Sequence, residues 1–249
     1  MDGRVFNYIK DKRKSSTLHF TLIDPDKQEI NKAVELAKKV EMYGSDAIMV
    51  GGSQPTSVLY LDSVVKGIKS ACSLPVILFP SSHSGISRYA DAIFFMSLFN
   101  STTTQYIIDE QMRGSVLVKA YGLEPLPMAY LIIESGTKTS AGFGGNAKEI
   151  PRDRPGFAVG YALAAKYFGM KFVYLEAGSG AKYSVPEEMI RMVKDNIGDD
   201  MFLIVGGGIR DAETAERKIE AGADIIVTGT IAENNEAKLR EIINKIKEK

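Results

Sequence analysis

Short runs of apolar residues alternate along this chain with longer segments in which apolar positions recur every three to four residues. The runs cover Leu18–Asp24, Asp46–Gly51, Pro75–Phe79, Asp91–Met96, Met128–Glu134, Lys171–Glu176, Met201–Val205 and Asp224–Thr228. Their length and their spacing predict buried strands. The amphipathic segments Glu29–Tyr43, Thr56–Ala71, Pro155–Gly169, Pro186–Ile197, Ala212–Ala221 and Glu233–Ile246 predict helices between most of them. Repeated β-α units imply a parallel sheet, and eight of them predict a closed (β/α)8 barrel, the TIM-barrel architecture, rather than an open doubly wound sheet. No G-x-G-x-x-G follows the first strand, which also argues against a Rossmann domain.

Two connections break the pattern. Between the third and fourth strands only Pro80-Ser81-Ser82-His83-Ser84-Gly85-Ile86-Ser87-Arg88-Tyr89-Ala90 is available, too short and too rich in breakers for a full outer helix. The expectation is a barrel whose third outer helix is missing or replaced by a short irregular connection. Such a gap is either an ordinary shortened turn or an opening that exposes apolar barrel surface, where a long apolar ligand could lie. The second connection, Thr137–Arg154, is polar and glycine-rich and follows the C-terminal end of a strand. It reads either as a lid over the barrel mouth or as a disordered link.

Composition narrows the partners. A chain of 249 residues with 45% hydrophobic content suits one barrel domain over residues 1–249. Lys+Arg and Asp+Glu both number 31, so no global charge points to nucleic acid or to an anionic membrane, and any anion must be recognised locally. The single cysteine, Cys72, excludes an intramolecular disulfide framework and reads as an inert thiol in a reducing compartment. With only His19 and His83, a His-rich metal site is not expected; mid-strand His19 reads as a packing residue and His83 stays unassigned. The opening Met1-Asp2-Gly3-Arg4-Val5-Phe6 lacks the apolar core of a signal peptide, and no stretch reaches the roughly 18 apolar residues of a membrane span. A cytoplasmic protein is expected, which would meet any lipid-like substrate in solution or by transient contact with a membrane surface.

Candidate chemistry gathers at the strand ends. The C-terminal face of such a barrel hosts its reactions, and phosphate sites favour the loops after strands seven and eight. Gly206-Gly207-Gly208 follows the seventh strand and Gly229-Thr230 the eighth. Glycine lets backbone N–H groups converge on an anion, with the Thr230 hydroxyl adding a hydrogen bond, although glycines also serve simply to make tight βα turns. After the sixth strand, Gly178-Ser179-Gly180 forms a third such turn. Alternation puts Tyr174 and Glu176 on one face of that strand. If the face points inward, Glu176 is placed as a general base toward a substrate hydroxyl; otherwise it is bound in a structural ion pair. Across the barrel, Asp24 ends the first strand and Gly51-Gly52-Ser53 the second. A carboxylate and a hydroxyl at neighbouring strand ends suit Mg²⁺, although Asp24 could equally cap the following helix.

With these residues assembled, the chain resembles the geranylgeranylglyceryl phosphate synthases of archaea and, more distantly, the bacterial heptaprenylglyceryl phosphate synthases. The matching segments are Thr21-Leu22-Ile23-Asp24-Pro25-Asp26-Lys27, Val50-Gly51-Gly52-Ser53, Tyr174-Leu175-Glu176-Ala177-Gly178-Ser179-Gly180, Val205-Gly206-Gly207-Gly208-Ile209-Arg210 and Gly229-Thr230. The first and third are specific; the Gly-Gly-Gly-Ile and Gly-Thr loops occur in many phosphate-binding barrels. The end of the first strand lacks the basic residue of the bacterial relatives, which favours the archaeal type. The resemblance implies a barrel without its third outer helix and a Mg²⁺-dependent prenyltransferase. That enzyme would join sn-glycerol 1-phosphate to geranylgeranyl diphosphate through an ether bond. By motif, Asp24 and Ser53 would hold the metal. Tyr174, Leu175, Glu176, Ala177, Gly178, Ser179, Gly180, Gly206, Gly207, Gly229 and Thr230 would hold glycerol phosphate, with Glu176 as base. A prenyl chain also needs an apolar groove, for which Phe95, Met96, Leu98, Phe99, Tyr121, Met128 and Tyr130 are the candidate lining, although core packing explains many of them equally well; barrels of this kind often pair, so a dimer or an assembly of dimers is expected.

Other readings keep the same loops. A sugar-phosphate isomerase or synthase would need neither a missing helix nor a groove. A flavin-dependent barrel could seat a cofactor phosphate there, and a non-catalytic glycerol-phosphate sensor could dispense with Asp24 or Glu176. Both residues are present, which favours an enzyme.

Overall fold

Alternating side chains let a parallel strand bury one face inside a barrel and the other under a ring of helices, and this chain does both. The computed structural model describes residues 3–52, 57–137 and 139–248. In chain order the elements begin with α1 (Arg4–Arg13), β1 (Leu18–Ile23), α2 (Ile30–Tyr43), β2 (Ala47–Val50), α3 (Val58–Ala71), β3 (Val76–Leu78) and β4 (Ala92–Leu98). A π-helical turn, Gln105–Asp109, leads into α4 (Glu110–Tyr121), followed by β5 (Glu124–Ile132), α5 (Ser140–Gly144), α6 (Pro155–Tyr167) and β6 (Phe172–Glu176). The last elements are α7 (Glu187–Ile197), β7 (Phe202–Gly206), α8 (Ala212–Glu220), β8 (Ile225–Thr228), α9 (Thr230–Asn234) and α10 (Glu236–Lys247). All eight strands are parallel and close on themselves, β1 pairing with β8 through Leu18↔Ile225 and Thr21↔Thr228.

Residues 79–91 form no helix, so the ring is open between β3 and β4, as the breakers there predict. Inside the barrel, Phe20, Met49, Ile77, Phe94, Met128, Phe172, Ile204 and Ile225, one from each strand, form a continuous core. Helix α1, which charge-rich flanks hid from the pattern, closes the bottom. Its Val5, Phe6 and Ile9 join the inner core, and the Phe6 ring stands edge-on to Phe172 and Phe202 at 5.8 and 5.9 Å. The Glu124 carboxylate satisfies the free N–H groups of Val5 and Phe6 at 2.7 and 2.8 Å.

Glu124 belongs to a stretch of β5 that the pattern places outside the strand because of Pro125 and Pro127. Neither proline costs a ladder bond. The Pro127 carbonyl accepts from Lys171 N–H, so residues of this parity face β6, whose pairing starts only at Met128↔Phe172. The expected last helix is also two helices: Asn235 ends α9 and its side chain caps α10 by accepting from Lys238 N–H at 3.1 Å. Helix α4 escaped notice because its apolar residues lie on both faces, with Val118 buried and Met112 and Val116 exposed.

The long connection after β5 is tied down. Asn100 donates to the carbonyls of Ile132 and Lys148 at 2.9 Å and accepts from Ile132 N–H at 3.1 Å. Thr139 caps α5 by accepting from Gly142 N–H at 3.2 Å. The connection is therefore an ordered cover rather than a loose link, and Lys138 lies outside the described residues.

His19 is fully buried behind the barrel wall, its Nδ1 3.0 Å from Ser45 Oγ and its Nε2 2.9 Å from Thr228 Oγ1. Burial, aided by the Lys247 charge, pushes the imidazole down from 6.5 to about 3. The unfolded chain takes up this proton near the upper value and the folded one only near the lower. Stability therefore falls as pH drops through that window, by up to about 1.4 kcal/mol per pH unit. Urea melts across this range should show a shallower decline for His19→Gln than for the parent; parallel declines would contradict the assignment.

Candidate active site

The loops converge at the C-terminal rim. In β6, Tyr174 and Glu176 point inward, as their spacing implies, while Leu175 and Ala177 turn into the outer core. Glu176 is 7% exposed, and its Oε1 accepts from Gly178 N–H at 2.5 Å. The hydroxyls of Tyr174 and Tyr130 also donate to this carboxylate. Burial raises the Glu176 carboxyl above its usual range, and the three donors pull against that rise. Burial and the neighbouring Glu176 charge raise both phenols, which keeps them neutral donors. The rings form an aromatic floor with Phe79, whose centroid lies 5.5 Å from Tyr130 and 5.8 Å from Tyr174.

The glycines after β7 are dictated partly by this carboxylate. A Cβ on Gly206 would sit 2.1 Å from Tyr174 Oη. Gly207 has φ +82°, and a Cβ there would meet Glu176 Oε1 and Gly178 N at 2.5 Å. The third loop closes the arrangement, with Ser179 Oγ 2.9 Å from Thr230 Oγ1. Arg210, whose role the pattern did not reveal, braces the wall by donating to the Ala181 carbonyl at 2.5 Å.

Asp24 is buried on the other side of the mouth. Its Oδ1 accepts from Asp26 N–H at 3.1 Å, and its Oδ2 faces Lys27 Nζ at 2.9 Å. It therefore shapes the loop before α2 without capping that helix, whose N-cap is Glu29. Glu233 lines the same cavity; its carboxyl is raised by burial and by the Asp24 charge, against the opposing Lys27 cation. Ser53 lies outside the described residues. Among the described residues no three acidic, His or Cys side chains converge to cage a metal. One cavity-facing carboxylate still fits Mg²⁺, which takes few protein ligands and fills its shell with water and substrate phosphates.

A cavity of about 370 Å³ joins these groups. Asp24, Glu176, Gly178, Ser179, Gly229 and Thr230 line it at the rim, and it continues down the outside of the barrel where the third helix is absent. There Phe79, Ile93, Phe95 and Met96 line it together with Tyr106, Gly114 and Val118. Ser140, Ala141, Gly144 and Gly145 around α5 cover part of it. Tyr174, Leu175 and Ala177 stand behind the wall, and Gly180 borders an adjoining depression with Ser179 and Thr230.

Of the expected groove residues, Phe95, Met96, Leu98 and Tyr130 line this cavity and three do not. Met128 is fully buried in the barrel, Phe99 packs outward on Phe168 at 6.1 Å, and Tyr121 lies under the Arg88 guanidinium at 5.1 Å. Strand alternation and the course of α4 separate them. His83 also lines the cavity: its N–H donates to Glu110 Oε2 at 2.8 Å, and its Nδ1 lies 2.7 Å from the same oxygen. Burial opposes ionisation of Glu110, but the His83 hydrogen bonds prevail and hold its carboxyl below the usual range.

Comparison with known proteins agrees with this geometry. The model of the PcrB family matches residues 8–248. The geranylgeranylglyceryl phosphate synthase of Thermococcus gammatolerans is 57% identical over 93% of this chain and 90% of its own length. That of Pyrococcus horikoshii is 54% identical over 93% and 89%. A crystal structure of (S)-3-O-geranylgeranylglyceryl phosphate synthase from Thermoplasma acidophilum, in complex with its substrate sn-glycerol-1-phosphate, superposes with TM-score 0.93 at 42% identity, covering all of both chains. With a family match over almost its full length and relatives above half identity, the chain belongs to the PcrB family.

Proposed function

We propose that this chain is a phosphoglycerol geranylgeranyltransferase. It joins the 3-hydroxyl of sn-glycerol 1-phosphate to geranylgeranyl diphosphate, releasing diphosphate, in the synthesis of archaeal membrane phospholipids. The observation that carries this reading is one cavity connecting a glycine-framed rim, with buried Glu176, to an apolar channel in place of an outer helix. A small phosphorylated alcohol suits the rim and a prenyl chain the channel, so their reacting ends meet beside Glu176. A sugar-phosphate isomerase would leave the channel without an occupant.

In this mechanism, backbone groups of residues 174–180, Gly206, Gly207 and Gly229, with the Thr230 hydroxyl, hold the glycerol phosphate. Glu176 takes the proton of the 3-hydroxyl as its oxygen bonds to the allylic carbon and the carbon–diphosphate bond breaks. Tyr130, Tyr174 and Gly178 N–H keep the Glu176 carboxylate oriented. Asp24 and Ser53 would hold Mg²⁺, which supplies charge neutralisation for the departing diphosphate. Burial of the prenyl chain at about 0.8 kcal/mol per CH₂ holds the donor in attack geometry. The exposed aromatics Phe157, Tyr167 and Phe168 of and beside α6 support a homo-oligomer built through outer helices. Among the described residues no helix is long and apolar enough to cross a membrane. The enzyme works in the cytoplasm with transient access to a membrane surface.

The test is purified protein with sn-glycerol 1-phosphate, Mg²⁺ and geranyl, farnesyl and geranylgeranyl diphosphates. A prenylglyceryl ether that disappears on adding EDTA is expected. Glycerol phosphate binding without ether from any donor would sink the transferase reading and leave a sensor barrel.

A further inference from the structure

The rim around Glu176 and the apolar channel are joined by one short helix. Helix α5 covers the channel through Ala141, Gly144 and Gly145. At that end it is pressed against β4. A Cβ on Gly145 would lie 2.3 Å from Leu98 Cδ2, and the Gly145 carbonyl accepts from Ser101 Oγ at 2.8 Å. Leu98 itself lines the channel.

At its other end α5 starts from Thr139, which is buried and extended. This side chain has two neighbours. Its oxygen accepts from Gly142 N–H at 3.2 Å and so caps the helix. Its methyl packs on the backbone of Gly178, where a Cβ would lie only 2.0 Å from Thr139 Cγ2. Gly178 is the residue whose N–H donates to Glu176 Oε1 at 2.5 Å. The chain before and after the cover is anchored to the same loop. Tyr183 N–H donates to the Ser135 carbonyl at 3.1 Å, and Arg152 Nη1 to the Ser184 carbonyl at 2.7 Å. The cover and the loop after β6 are thus packed as one unit, and a change at Thr139 reaches the carboxylate through a single residue.

We propose that Thr139 is a positioning residue of the reaction: its methyl fixes the Gly178 N–H on Glu176, and its hydroxyl fastens the same point to the cover of the channel. The proposal rests on the transferase reading above. Thr139 touches neither substrate in this scheme; it acts on the base through Gly178 and on the donor through α5.

Two conservative variants separate the contacts. Thr139→Ser keeps the capping hydroxyl and removes the methyl, whereas Thr139→Val keeps the methyl and removes the hydroxyl. Single-turnover ether formation from preformed complexes should slow about tenfold or more in Thr139→Ser and stay within about threefold of the parent in Thr139→Val at saturating donor. The KM for geranylgeranyl diphosphate should instead rise about fivefold in Thr139→Val and hold in Thr139→Ser. Thermal melts and glycerol phosphate binding establish that both variants are folded. The amide proton of Gly178, followed by NMR in protein labelled with ¹⁵N-glycine, reads the same contact without turnover. Its resonance should move upfield in Thr139→Ser, as the hydrogen bond to Glu176 lengthens, and stay in place in Thr139→Val. A residue that only caps α5 would leave Thr139→Ser equal to the parent in both rate and resonance, and that result would overturn the proposal. So would a Thr139→Val protein that loses the chemical step as fully as Thr139→Ser. Should the parent form no ether, the transferase reading fails and the Gly178 resonance decides alone: a shift confined to Thr139→Ser supports the contact, and an unmoved resonance overturns it.

Discussion

Replacing Glu176 with Gln should lower kcat for ether formation by about 10²–10⁴-fold while leaving glycerol phosphate affinity nearly unchanged. The change is close to isosteric. The amide oxygen can still accept from Gly178 N–H, which lies 2.5 Å from Glu176 Oε1 in the parent, so the loop keeps its shape. What disappears is the group that takes the hydroxyl proton. Single-turnover measurements with preformed complexes read the chemical step directly, and a rate within threefold of the parent would remove Glu176 from the mechanism. A second readout follows from burial. The folded protein raises this carboxyl, so Glu176 contributes stability that is present below its unfolded value, about 4.3, and lost as pH rises through the folded one. Glu176→Gln should therefore melt higher than the parent at alkaline pH, and the two should converge in acid. A melting difference independent of pH would mean that the carboxylate is not held ionised and buried at the rim.

Asp24→Asn should reduce turnover by about 10²–10³-fold at limiting Mg²⁺ and recover partly as the metal is raised. Asn retains an oxygen to accept from Asp26 N–H, so the turn is preserved while the formal charge is lost. The loss also frees Lys27, whose Nζ lies 2.9 Å from Asp24 Oδ2. Lys27→Met in the same background separates that effect, because removing the unpaired cation should not bring the Mg²⁺ midpoint back to the parent value. Titrating activity against Mg²⁺ is the measurement. An identical Mg²⁺ midpoint in parent and Asp24→Asn would take Asp24 out of the metal site and leave it as the partner of Lys27.

The barrel and the rim were legible because both depend on short-range rules. Apolar runs of strand length separated by amphipathic segments admit few arrangements, and parity alone sent Tyr174 and Glu176 to the same side of β6. Breakers in residues 80–90 announced the open ring. Three other features were not legible. Helix α1 is amphipathic only toward a barrel bottom that exists once the strands have closed. The start of β5 is hidden by Pro125 and Pro127, whose missing N–H groups matter only on the side where β6 has not yet begun to pair. Helix α4 gives no clear period because its channel side carries Glu110 and Gly114 beside Val118, while Met112 and Val116 are exposed on the other side.

The channel shows the same division. Phe95, Met96 and Tyr130 were readable as apolar residues near strand ends, but so were Phe99 and Met128, which face away from it. His83, Glu110 and Gly114 carry no signal in the chain, since a hydrogen bond or a missing Cβ acquires meaning only against the surface it meets. By itself the sequence determined the repeat of strands and helices, the glycine turns and the shared face of Tyr174 and Glu176, each the result of neighbouring residues and strand parity; that this face points inward was decided by closure of the barrel. Only the tertiary structure decided the course and width of the channel, the cover over it and the donors around Glu176. Those arise where segments far apart in the chain are packed side by side.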